Sequence, residues 1–152
     1  MKKPLVLVAA AVSLAALSGL FLSAGSRSLM AGYEPDLARG EAIYHEACAA
    51  CHGANLEGEP KWRTPGPDGR LPAPPHDASG HTWHHADRVL LDITMRGTAA
   101  VVGGGYESNM PGFADSYSEE ELRDALEWIK TQWPDRERAH QARITEQDQA
   151  AR

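Results

Sequence analysis

Three stretches of this chain repeat apolar residues at helical spacing, and no stretch alternates as a half-buried strand would. The first begins at Asp36, a candidate N-cap, and puts Leu37, Gly40, Ile43, Tyr44 and Ala47 on one face before running straight into Cys48. The second covers Ala86 to Met95, with Val89, Leu90 and Ile93 as its stripe, Asp87 as a candidate cap and Gly97 as its stop. The third starts at Ser118. Ser118 with Glu121 three places on is a capping-box pattern, and Glu119 and Glu120 suit the positive end of a helix. Leu122, Ala125, Leu126, Ile129 and Trp133 then follow at helical intervals until Pro134 closes the run.

Between these helices the chain is written for loops. Gly53 to Gly80 holds six prolines and five glycines, a composition that forbids a long helix or a central strand. Thr98 to Tyr117, with the run Gly103-Gly104-Gly105, reads as a second irregular stretch. Loops this long in a compact domain need a surface to pack on. The polar tail 135–152 has Ile144 as its only large apolar residue and is expected to be frayed helix or disordered. The fold class expected is all-α, a few helices with long Pro/Gly-rich loops.

The first thirty residues stand apart. Lys2 and Lys3 precede an uncharged apolar run from Leu5 to Leu22, and small residues follow at Ser23, Ala24 and Gly25. That is the layout of an export signal, and the run is also long enough to serve as an uncleaved membrane anchor. In either case the lysines stay cytoplasmic and the rest of the chain faces the periplasm. The expected organisation is therefore 1–30 signal or anchor, 31–35 tether, 36–134 folded domain and 135–152 tail. Setting aside 1–30 leaves 12 of the 15 basic residues and all 21 acids, a net charge of −9 with histidine neutral. Such a surface is unsuited to nucleic acid and favours partners with a basic face.

Only two cysteines occur, in Cys48-Ala49-Ala50-Cys51-His52. This CxxCH spacing is the attachment signature for c-type haem. Two thiols three positions apart can each form a thioether to one edge of the porphyrin, and the histidine directly after them can offer an imidazole nitrogen to the iron. A thioredoxin-like pair would need a βαβ context that is absent here. A zinc site would need further ligands, which the histidines around His84 could supply. A disulfide across two residues would leave His52 idle.

With that motif in place, Gly40 to Trp133 resembles a class I monohaem cytochrome c, whose pattern is a first helix ending in CxxCH, a loop-rich middle, a methionine loop and a last helix. Gly40 and Tyr44 match the glycine and aromatic of the family's first helix, and Trp128 matches the aromatic they meet on the last. The resemblance implies one covalent haem c bound by Cys48, Cys51 and His52, with a methionine as second axial ligand. Met110, in Ser108-Asn109-Met110-Pro111-Gly112-Phe113, resembles the methionine loop; Pro111 stiffens it and Asn109 is placed to tune the sulfur. Met95 lies inside a helix and suits packing, and Met30 falls in the export segment. The family also implies that a proline carbonyl holds the other nitrogen of His52, by Pro74 or Pro75. Many relatives carry a leucine after this proline, where this chain has His76.

His76, His81, His84 and His85 form a cluster with Trp83. It reads as lining for the haem pocket and a helix cap, as a divalent metal site, or as a source of the second axial ligand. The function implied is a periplasmic electron carrier serving redox partners, not an enzyme in its own right. The alternatives are a ligand-binding or catalytic haem protein with a displaceable sixth ligand, or a cytochrome subunit of an exported dehydrogenase.

Overall fold

The computed structural model describes residues 33–152; the proposed signal or anchor lies outside the described residues. The structure is helical, as the apolar spacing predicts, and among the described residues the only β feature is an isolated bridge between Gly97 and Pro111. Helix α1 (Leu37–Ile43) continues through a π-helical turn (Tyr44–Cys48) into α2 (Ala49–His52). Asp36 caps it by accepting from the Arg39 N–H at 3.0 Å. The wider π turn immediately before the haem motif had no signature in the apolar spacing; such turns gather at functional sites.

A 3₁₀ turn (Thr82–His84) leads into α3 (Asp87–Arg96), and Gly97 follows at φ 83°, left-handed as its stop role requires. Asp87 sits in the first turn, and Ala86 occupies the cap position without a side-chain bond. The stretch after Gly97 is not wholly irregular: Thr98–Val102 forms a short helix, α4. Helix α5 (Glu119–Thr131) carries the full capping box, with Ser118 Oγ accepting from Glu121 N–H at 3.3 Å and Glu121 accepting from Ser118 N–H at 2.8 Å. Trp133 lies just beyond that helix, fully buried, its indole N–H donating to His76 O at 2.6 Å.

The largest element contact is α1 against α5. Gly40 makes it possible, because a Cβ there would stand 2.2 Å from the Asp124 carbonyl oxygen. One turn on, Tyr44 and Trp128 pack with ring centroids 4.9 Å apart, and they join Leu56, Ile129 and Trp133 in the main core. Burying side chains of this size contributes about 2 kcal/mol each. Asp124 is the polar partner in this crossing. It is fully buried and accepts from Asp36 N–H at 3.0 Å, the Arg39 guanidinium and the Tyr33 hydroxyl. Tyr33, in the segment read as tether, is thus tied to α5.

The tail, expected as frayed helix or disorder, forms a continuous helix, α6 (Asp135–Ala150), that packs back over the 3₁₀ turn and the start of α3. Its buried face is Glu137, Gln141 and Thr145, all polar, so apolar spacing could not have found it. Among the described residues no helix is long and apolar enough to cross a membrane.

Candidate functional site

The CxxCH segment turns on the last helical residues before Gly53. Cys48 and Cys51 are unbridged, and burial pushes the Cys48 thiol up to about 11. His52, the last residue of α2, is buried with its Nδ1 2.8 Å from Pro74 O. A carbonyl can only accept, so Nδ1 carries the proton and Nε2 keeps a free lone pair. Burial also lowers the His52 pKa, with the Pro74 bond acting against it, which favours the neutral imidazole that a metal requires.

The choice between the two prolines falls to Pro74, and the local backbone shows why it is held there. A Cβ at Gly58 would meet Pro74 C at 2.6 Å and Pro75 N at 2.4 Å, while one at Gly80 would meet Pro75 O at 1.9 Å. Two glycines therefore grip the Pro74–Pro75 segment from either side. His76 follows, stacked on the ring of His52 with centroids 3.9 Å apart and planes at 24°. Its Nδ1 lies 2.8 Å from Thr82 Oγ1.

Met110 is carried on a different element. Its loop is seated against the end of α3 through backbone contact on both sides, since a Cβ at Gly97 would meet Gly112 N at 2.8 Å and one at Gly112 would meet Met95 O at 2.5 Å. Met95 thus contributes its backbone to that seat, in keeping with a packing role. The Thr98 hydroxyl stands 3.4 Å from Met110 Sδ and donates to it. Asn109, expected beside the sulfur, instead accepts from Arg70 Nη1 at 2.9 Å, tying the methionine loop to the proline-rich loop. Thr98 escaped the sequence reading because it belongs to the methionine site only through the fold.

The remaining histidines meet in pairs, with His81 edge-on to His85 at 5.4 Å between ring centroids. His81 stacks on Trp62, which also carries the Arg63 guanidinium 4.0 Å above its ring; His84 stacks on Trp83 and faces His140 of α6. Among the described residues no three His, Cys, Asp or Glu side chains converge to hold a metal ion.

Two observations test whether these residues suit a haem. The Trp83 indole N–H and the Arg70 Nε–H are buried with no hydrogen-bond partner in the protein, the kind of vacancy that an anionic cofactor edge satisfies. The thiols, the oriented imidazole and these orphaned donors together fit the group. The cytochrome c family model matches residues 37–133, well over half of the chain.

The chain belongs to the cytochrome c family.

The matched span runs from the first residue of α1 to Trp133 and leaves α6 outside it. Comparison with curated proteins and with solved structures returns no match. As a class I c-type cytochrome it carries an electron on covalently bound haem c, which Cys48 and Cys51 fit through their CxxCH motif, and it works with redox partners. Bound there, the haem supplies the one-electron iron couple, and the protein supplies orientation and burial.

Proposed function

We propose that this cytochrome is a periplasmic one-electron carrier whose haem iron takes His52 and Met110 as its axial ligands. The observation that carries this is the Met110 sulfur, held by the Thr98 hydroxyl in a loop that backbone contacts lock to the end of α3. A thioether ligand favours ferrous iron and raises the potential, and a hydroxyl donating to the sulfur acts in the same direction by drawing off its electron density. With both axial positions filled by protein, no site is left for substrate, which supports a carrier over a ligand-binding or catalytic haem protein. The export-type residues 1–30 support the periplasmic location, by cleavage or by anchoring. The net charge of −9 outside that segment supports docking to a basic face, and transfer rates to such a partner should then fall as salt rises.

The test is the absorption spectrum of the oxidised and reduced protein, compared with Met110→Ala. A c-type spectrum whose far-red iron–sulfur band disappears in the variant is the expected result. Absence of that band from the wild type would overturn the Met110 assignment, and cyanide or carbon monoxide binding by the wild type would then point to an open site.

A further inference from the structure

His76 stands two residues beyond Pro74, the acceptor for His52. The His76 ring has three fixed neighbours. It lies face to face with His52 at 3.9 Å and 24°, presents itself to the Tyr44 ring at 6.2 Å and 69°, and sits 2.8 Å through Nδ1 from Thr82 Oγ1. Its backbone is fixed as well: the N–H donates to Leu56 O at 2.8 Å, and the carbonyl accepts the Trp133 indole N–H at 2.6 Å.

The bond from His52 Nδ1 to Pro74 O fixes one point of the axial imidazole and leaves the ring free to tip about that line. A flat neighbour held rigidly against its face removes this freedom, because offset stacked rings have a preferred mutual orientation. A leucine fills similar space but offers no plane.

We propose that His76 is a positioning residue of the haem site, fixing the plane of the His52 imidazole and through it the orientation of the axial ligand at the iron. The inference rests on His52 being an axial ligand. A residue that only filled space would be replaced by leucine without consequence. A residue that sets the plane would not, and outer partners of metal-bound histidines commonly carry effects of about tenfold or more.

The experiment uses the full-length protein matured with its haem, and compares wild type with His76→Leu, His76→Phe and Thr82→Val. The readouts are low-temperature EPR of the ferric form and the reduction equilibrium against a dye of known potential. His76→Leu should change the spread of g values and move the reduction equilibrium by about tenfold. His76→Phe keeps a flat ring but loses the bond to Thr82, so its g values should stay centred on those of the wild type and broaden only as far as in Thr82→Val. Wild-type behaviour from the leucine variant, or leucine-like behaviour from the phenylalanine variant, overturns the proposal. If His76→Leu does not accumulate as holoprotein, Thr82→Val decides. Loss of its bond to Nδ1 should loosen the stack and broaden the g values, and an unchanged spectrum overturns the proposal. A wild type with no low-spin histidine-ligated signal would instead remove the ligand assignment, and this inference with it.

Discussion

Helices α5 and α6 follow one another in the chain with only a short turn between them, yet they are attached by different chemistry. Helix α5 meets α1 backbone to backbone at Gly40 and then ring to ring at Tyr44 and Trp128. Helix α6 is attached by side-chain hydrogen bonds: Gln141 Nε2 donates to Asp87 Oδ1 at 2.6 Å and to His85 O at 3.2 Å, Asp87 N–H donates to Thr145 Oγ1 at 3.0 Å, and Arg88 pairs with Asp148 at 2.9 Å. Close contact of dry surfaces is unforgiving, because interiors are packed to the density of crystals. Polar contacts at a partly solvated seam exchange with water at small net cost. The first attachment sets the shape of the haem fold, and the second adds a cover over the Thr82–Asp87 segment.

The sharpest way to break the first attachment is Gly40→Ala. The added methyl would stand 2.2 Å from Asp124 O and 2.6 Å from its carbonyl carbon, atoms of a helix backbone that cannot rotate away. The two helices must part, and Asp124 loses its geometry with Arg39 and the Asp36 N–H. A loss of about 3 kcal/mol, the upper end for overpacking, is expected, and with it a large fall in holoprotein yield and melting temperature. Unchanged melting would mean the crossing is far softer than its spacing implies.

The same contrast decides what could be read before the structure. Gly40 and Tyr44 were legible on the apolar face of the first helix, while their meeting with Trp128, which lies outside the apolar stripe of the last helix, was implied only by the family resemblance. The CxxCH motif was legible because its chemistry is local. Pro74 could not be chosen over Pro75, since the choice depends on Gly58 and Gly80 gripping the segment from remote parts of the chain. Thr98 reaches Met110 Sδ only through the seating of one loop on one helix end. Helix α6 was expected only as frayed helix or disorder, and its packing was hidden for a different reason: Glu137, Gln141 and Thr145 are buried but polar, and period alone marks apolar faces. Asp124 was hidden likewise, an acid amid an acidic helix whose burial depends on Tyr33 and Arg39 folding over it.

A milder change tests the second attachment. Gln141→Ala removes the donor shared by Asp87, His85 O and Thr145 Oγ1, while Asp87 keeps its ion pair with Lys130. The expected cost is about 1 kcal/mol, felt locally as about fivefold faster amide exchange along α6. Amides of α1 and α5 should keep their protection. Equal acceleration in α1 and α5 would show that the two attachments form one cooperative unit rather than two.

The smallest effect expected comes from pH, and it too should fall on one side of the comparison. His85 lies in the segment that α6 covers and the exposed His81 touches it, ring centroids 5.4 Å apart; both titrate below the ordinary histidine value. Burial is the largest cause for each; neighbouring histidines add to it, and Arg63 acts on His81. His84 and the α6 residue His140 also face this seam. In the unfolded chain His81 and His85 take up a proton near pH 6.5, and in the folded chain only at lower pH. Between those limits the unfolded state binds more protons, so stability rises with pH, is complete above about 6.5 and is lost as pH falls. The α1–α5 crossing has one histidine, the exposed His45, beside the Asp124–Arg39–Glu120 group. Amide exchange, corrected for intrinsic rates, should therefore show α6 losing protection on acidification before α1 and α5 do. The double variant His81→Gln, His85→Gln should flatten that loss. If the variant loses protection as steeply as the wild type, the pH response belongs to other groups at the seam, with His84 and His140 the first to substitute.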